Sequence, residues 1–286
     1  MTMPREAADF AEWMYHDFGY DFRRYRLGTL GRRLRHLCAG LNLDGLAALR
    51  EWLSSDPQRI DYVVDQLCIP VSQLFREPGT LDELRRLVFP MLRSFPVVTV
   101  WHAGCAAGQE AYSMAILLDE AGLLPRCRIF ASDISAGALA QAARGSLPAA
   151  QVRDAAPRYL ASGGTGDLTR HFTVRGERMR LSSRLMSHIS FVRHNLATDA
   201  VFCEAAVILC CNVLIYFERP LQCRALELFS DSLVRGGYLC LGQRETPIGA
   251  DGRFASMTGS RWVYRPTAQP RPPLALPSPL PDERIK

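Results

Sequence analysis

Several stretches of the sequence place polar residues where short apolar runs end. Val97-Val98-Thr99-Val100-Trp101-His102-Ala103 runs into Gly104-Cys105-Ala106-Ala107-Gly108-Gln109-Glu110. Arg128-Ile129-Phe130-Ala131-Ser132 runs into Asp133, and Ile189-Ser190-Phe191-Val192 leads to His194-Asn195-Leu196. Ala206-Val207-Ile208-Leu209-Cys210 ends at Cys211-Asn212. Short β-branched runs read as buried strands. In an open parallel sheet, ligands bind beyond the carboxyl ends of the strands. A glycine turn, an acid and two amides would therefore share one sheet edge. Gly104 would let the backbone approach a ligand closely. An acid ending the second strand can accept two ribose hydroxyls. Each feature also has a plainer reading: an ordinary βα turn, or Asp133 as the cap of a helix starting near Ala136, with Ser135 as the rival cap.

The same turn limits the ligand. It lacks the G-x-x-x-x-G-K-[ST] phosphate cradle, and Gly104-x-x-x-Gly108 departs from the dinucleotide spacing. Glu110 would repel phosphate and suit a cation. A nucleoside carrying a positive group fits best, and S-adenosylmethionine is such a ligand.

Strands and helices alternate from residue 97 onward, which predicts an α/β parallel sheet. Helices are expected over Ala111 to Leu118, Ala138 to Arg144 (stopping at Gly145) and Leu221 to Val234. Gly236-Gly237 reads as a turn into the strand Tyr238 to Leu241. Residues 148 to 188 interrupt the alternation. Around Gly163-Gly164-Thr165-Gly166 and Arg175-Gly176-Glu177, the strand candidates His171 to Val174 and Met179 to Leu181 predict a small antiparallel insertion. Residues 254 to 257 and 261 to 264 read as a closing hairpin.

Residues 1 to 68 read as helical. Phe10, Trp13, Met14 and Phe18 have helical spacing, and Leu27, Leu30, Leu34, Leu37 and Leu41 share one face. Arg24, Arg32 and Arg35 fall on the other side, either a solvated face or one that meets an anionic partner. Gly28 and Gly31 each weaken a helix by about 1 kcal/mol, which allows a break there. Asn42-Leu43-Asp44 is expected to cap a helix from Gly45 to Leu53, and another spans about Pro57 to Cys68. Pro70 and Pro78 bracket a hinge containing Ser72 and Phe75-Arg76-Glu77. A helix from Leu81 to Arg93 follows. The Pro-rich residues 266 to 286 read as an unstructured tail.

The chain has 286 residues, 48% of them hydrophobic, enough for a sizeable core. Its net charge of +5 is a mild basic bias that hints at an acidic partner. The nine cysteines form no C-x-x-C pair, and the N-terminus shows no signal pattern. Reduced thiols, a cytoplasmic location and no metal are expected. Cys105, Cys210 and Cys211 read as small core residues. The apolar run from Ala205 to Phe217 is too short to span a bilayer.

Taken together, Phe75-Arg76-Glu77, Ala103-Gly104-Cys105-Ala106 with Gly108 and Glu110, Tyr112-Ser113, Ser132-Asp133-Ile134, His194-Asn195-Leu196, Asn212-Val213-Leu214-Ile215-Tyr216-Phe217 and Gly236-Gly237 resemble the chemotaxis receptor methyltransferases, the CheR family. Order and spacing agree over about residues 10 to 265. The resemblance implies a class I S-adenosylmethionine-dependent, Rossmann-like methyltransferase domain with a β-insertion, preceded by an all-helical domain. On that pattern the domains run 1–78, 79–265 and a tail at 266–286. It also implies methyl ester formation on glutamates of chemoreceptor cytoplasmic helices by a monomer that is not membrane-embedded and binds no nucleic acid.

Matched residue by residue, the resemblance assigns Ser72 and Arg76 to the cofactor or incoming substrate. Glu110 goes to the methionine end, Asp133 to the ribose, and Asn195 and Leu196 to the adenine. Gly104, Cys211 and Asn212 border the methyl donor. Arg76 and Tyr216 orient the substrate carboxylate, and Arg24, Arg32 and Arg35 face the receptor. The family's usual hinge begins Asn-x-Thr, where this chain has Pro70-Val71-Ser72. Its usual Arg-Asn pair is Cys211-Asn212, its Gly-Glu-Glu is Gly108-Gln109-Glu110, and its Gly-His-Ser-Glu is Gly242-Gln243-Arg244-Glu245. Each lost hydrogen bond costs about 1 kcal/mol. The alternative expectation is therefore a catalytically impaired, cofactor-binding regulator or scaffold.

Overall fold

A computed structural model of the chain describes residues 3–68, 72–247 and 252–267. The expected changes at Pro70 and in the Pro-rich tail beyond Thr267 lie outside these residues.

The first helices are α1 (Met3–Phe18), α2 (Leu27–Gly40), α3 (Gly45–Ser54) and α4 (Ile60–Leu67). They enclose a core of their own, built on Phe10, Met14, Leu34, Leu49, Leu53 and Val63. Helix α2 runs unbroken through Gly28 and Gly31. Leu30, Leu34 and Leu37 on its inner face are buried. Each buried leucine contributes roughly 1.5–3 kcal/mol, which outweighs the glycine penalty. Arg32 and Arg35 are exposed on this helix. Arg24, expected beside them, instead precedes the helix, 4.0 Å from Glu218. Asp44 stands at the start of α3 but makes no side-chain cap hydrogen bond.

After the hinge, Pro78 opens α5 (Pro78–Glu83). A wide turn over Leu84–Val88 joins it to α6 (Phe89–Leu92), so the expected single helix is irregular. Strand β1 (Val98–Ala103), α7 (Gln109–Glu120), β2 (Cys127–Asp133) and α8 (Ala136–Arg144) then alternate. Gly145, left-handed at φ 62°, ends α8 as expected.

The insertion holds β3 (Ser146–Pro148), α9 (Ala149–Asp154), α10 (Ala156–Ala161), β4 (Phe172–Arg175) and β5 (Arg178–Leu181). The strands form an antiparallel sheet in the order β3-β5-β4. The sequence reading missed β3 and both helices, whose runs are too short to show a period. After α11 (Ser183–Met186), the main sheet resumes with β6 (Ile189–Arg193) and β7 (Ala205–Cys210). Helix α12 (Arg219–Ser232), β8 (Leu233–Leu241), β9 (Phe254–Ser256) and β10 (Val263–Pro266) complete it.

The seven-stranded sheet has the order β6-β2-β1-β7-β8-β10-β9. Strands β6 to β8 pair in parallel, while β10 and β9 add antiparallel. Gly236-Gly237 fall within β8, with Gly236 left-handed at φ 81°. Pairing with β7 lapses over Val234 to Gly237 and resumes at Tyr238, where the sequence placed the start of the strand. Glycine inside a strand marks such an irregularity. The carboxyl ends of β1, β2, β6 and β7 share one edge, and the helical domain packs over it. No helix among the described residues is long and apolar enough to cross a membrane.

Candidate active site at the seam between the domains

The strand β1 ends in a turn that only particular residues can make. Gly104 is left-handed at φ 77°, and a Cβ there would lie 2.4 Å from Val213 Cγ2. Gly104 N–H and Cys105 N–H both donate to Ser132 O, at 2.8 and 2.9 Å, tying the turn to β2. Ala106 is also left-handed, at φ 47°. Its N–H donates to Asp133 Oδ2 at 2.8 Å.

Asp133 Oδ1 accepts from Ser135 N–H at 3.0 Å. The cap of α8 is Ser135, whose Oγ accepts from Ala138 N–H at 3.0 Å. That settles the choice between the two caps and leaves Asp133 facing the cleft. Burial raises the Asp133 pKa above the usual aspartate value, against the lowering effect of the backbone N–H groups of Ser135, Ala106 and Ile134.

Across the sheet edge, Asn212 is left-handed at φ 62°. Its Nδ2 donates to Glu77 Oε1 at 2.7 Å. A single turn over Leu214–Tyr216 follows. On the hinge, Phe75 is buried at φ 53°, a conformation a bulky residue rarely adopts. Its N–H donates to Ser113 Oγ at 2.9 Å. Three left-handed non-glycine residues thus flank one cleft: Phe75, Ala106 and Asn212. Such strain concentrates at functional sites.

The helical domain supplies the other wall. Arg26 N–H donates to Tyr216 O and Glu218 N–H to Arg24 O, each at 2.8 Å. Tyr25 rests edge-on against Phe217, ring centroids 4.9 Å apart. Phe22, Tyr25, Arg26, Thr29 and Leu30 therefore line the same cleft as Asp133 and Asn212. Sequence reading missed this wall, because nothing periodic links residues 22–30 to residues 212–217.

Of the residues singled out in the sequence, Arg76, Gly104, Asp133, Asn195, Leu196, Cys211, Asn212 and Tyr216 line the cleft. Ser72 and Glu110 lie outside this lining. The carboxylate of Glu110 turns instead toward His102, 3.6 Å from its Nδ1. His102 is fully buried, and neither ring nitrogen has a hydrogen-bond partner. Cys211 is an uncharged thiol. A hydrogen bond with Cys240 and burial hold its pKa well above the usual value. The lining's two arginines are Arg26 and Arg76.

This lining fits a nucleoside. Leu196, Ala138 and Ile134 offer apolar surface for a base, Asp133 an acceptor for a ribose, and the Gly104 turn a close backbone approach.

Comparison with known proteins gives the same answer. Residues 70–263 match the family model for the CheR methyltransferase, SAM binding domain, and residues 5–68 match that for the CheR methyltransferase, all-alpha domain. The chain is 40% identical over 235 residues to the putative methyltransferase Cher3 of Pseudomonas putida, covering 82% of this chain and 86% of that one. It is 28% identical over 238 residues to a chemotaxis protein methyltransferase of Listeria innocua, covering 82% and 88%. It is also 30% identical over 261 residues to an uncharacterised 104.1 kDa protein of Rhodobacter capsulatus, covering 87% of this chain but only 27% of that longer one. The chain belongs to the CheR methyltransferase family, with S-adenosylmethionine as the cofactor of its Rossmann-like domain.

Proposed function

We propose that this methyltransferase forms methyl esters on glutamate side chains of chemoreceptor cytoplasmic helices. The observation that carries the reading is the convergence of Arg76, Asn212 and Tyr216 on one cleft with Asp133. Relatives named chemotaxis protein methyltransferases, in Listeria innocua and Vibrio cholerae, support it.

When bound, S-adenosylmethionine supplies a methyl group on a positively charged sulfur. Asp133 and Leu196 would hold the nucleoside, and the Gly104 turn would admit its tail. A glutamate with an ordinary pKa near 4.3 is already an anion at neutral pH, so no general base is required. Arg76 meets that carboxylate with a planar fork that can make two hydrogen bonds. The Tyr216 hydroxyl would donate to the same group and orient it within the cleft. Tyr25, Leu30 and Phe217 exclude water from above. Proximity and desolvation then lower the barrier.

The test is incubation with labelled S-adenosylmethionine and a receptor cytoplasmic domain, followed by mild alkali. Label released as methanol supports the ester. Base-stable label rules out carboxyl chemistry. No transfer to any receptor, with cofactor binding intact, would favour the regulator or scaffold.

A further inference from the structure

Glu245 lies just beyond the end of β8 and is 4% exposed. It does not line the cleft. Its Oε2 accepts from Asn212 N–H at 2.7 Å and from Gly242 N–H at 3.0 Å. Its Oε1 accepts from Val213 N–H at 2.8 Å and from Ile215 N–H at 3.3 Å. One buried carboxylate thus gathers four backbone N–H groups from two loops. Gly242 is required beside it, since a Cβ there would lie 2.6 Å from Glu245 Oε2 and 3.1 Å from Asn212 N.

The segment it grips carries both Asn212 and Tyr216. Asn212 is held in its left-handed conformation from two sides: at the backbone by Glu245, and at the side chain by Glu77. Glu77 Oε2 also accepts from Gln243 N–H at 3.0 Å, closing the ring of contacts. A segment this short has no ladder of its own, so these carboxylates take the place of a sheet partner. An ionised carboxylate accepts at both oxygens while presenting no donor. The near-isosteric amide of glutamine would turn a donor toward one pair of these N–H groups.

We propose that Glu245 is a positioning residue for methyl transfer, holding Asn212 and Tyr216 in the geometry that the substrate carboxylate meets. This rests on the carboxyl-methylation reading above. Glu245 touches neither cofactor nor substrate, so its contribution passes through the gripped segment.

Wild-type protein is assayed first for base-labile transfer. Glu245→Gln is expected to lower kcat about tenfold or more while the cofactor Kd stays within about threefold, as for an interaction expressed in the transition state. In a Tyr216→Phe background the same change should cost less than about threefold more, because coupled residues are not additive. Unchanged kcat in folded Glu245→Gln overturns the proposal, as do fully additive losses. So does a fall in cofactor affinity that matches the fall in kcat. Hydrogen exchange on the wild-type protein gives a measurement that needs no variant. The Asn212 and Val213 amides, outside helix and strand, should be strongly protected, and exchange at solvent rates overturns the grip. A wild type that transfers no base-labile label removes the functional reading, and this proposal with it. Normal wild-type transfer combined with any overturning result above removes this proposal alone.

Discussion

The carboxylate of Asp133 already accepts from Ala106 and Ser135 N–H groups before any ligand arrives. Its remaining lone pairs are the ones a ribose would use. Asp133→Ala should weaken S-adenosylmethionine binding by roughly 1.5–3 kcal/mol, the range for hydrogen bonds to a charged group. Calorimetry on the folded variant measures this, and unchanged affinity would falsify the ribose role. The raised pKa adds a pH signature. Only the ionised form accepts both hydroxyls, so affinity should fall on acidification at a higher pH than an ordinary aspartate near 3.9 would give. The linkage to folding has the opposite sign. The folded state binds the proton more tightly, so this group lowers stability as pH rises through the window between its unfolded and folded pKa values. For Tyr216, Tyr216→Phe should reduce turnover several-fold and leave cofactor affinity nearly unchanged. Full turnover would make it a packing residue. At this scale the sequence located a residue in the cleft where its place at the end of its own strand sufficed, as for Gly104 and Asp133. The contacts of Arg26 with Tyr216 and of Glu245 with Asn212 were not readable, because the partners lie far apart in the chain. Only the fold brings them together.

Helix α2 shows what periodicity can and cannot say. Its leucine stripe correctly predicted the buried face, and burial overrode two glycines. The same pattern left Arg32 and Arg35 exposed but misplaced Arg24, since a helical wheel does not reveal where the helix begins. If this face meets an acidic receptor helix, the double change Arg32→Glu and Arg35→Glu should sharply reduce receptor methylation at low salt. The deficit should shrink as salt rises, because exposed charges act on encounter and are screened. Thermal stability and cofactor binding should hardly move. Full methylation at low salt would shift attention to the β4–β5 edge of the insertion. Strand β8 gives a second lesson. Gly236-Gly237 signalled a turn before Tyr238, and there the ladder with β7 lapses before resuming at Tyr238. Here the local glycine signal marked a real break in the pairing.

At the scale of the molecule, the two domains are fastened at several points around the cleft. Asp65 on α4 accepts from Ser135 Oγ at 2.7 Å and Gly137 N–H at 3.2 Å, at the start of α8. Gly137 is what allows that approach, since a Cβ there would lie 2.3 Å from the Asp65 carboxylate. Arg193, at the end of β6, pairs with Asp61 and Tyr20. Asp65→Ala should lower stability by about 0.5–1.5 kcal/mol, the net worth of an ordinary hydrogen bond, since the exposed Gly137 N–H can turn to water. It should also weaken cofactor binding, because it loosens one wall of the cleft. A drop in melting temperature with cofactor affinity intact would show that the fastening is structural only.

The shared cleft also bears on how such proteins can be recombined. Phe22, Tyr25, Arg26 and Leu30 belong to the helical domain, yet they stand opposite Asp133 and Asn212. The helical domain is therefore not a detachable module that merely selects a target. A chimera that replaced residues 1–68 with those of a relative would inherit about a third of the cleft lining from one parent and the rest from the other. Its affinity for the methyl donor should change along with its choice of substrate. Lineages in this family would then be expected to pass on the two domains as one inherited unit.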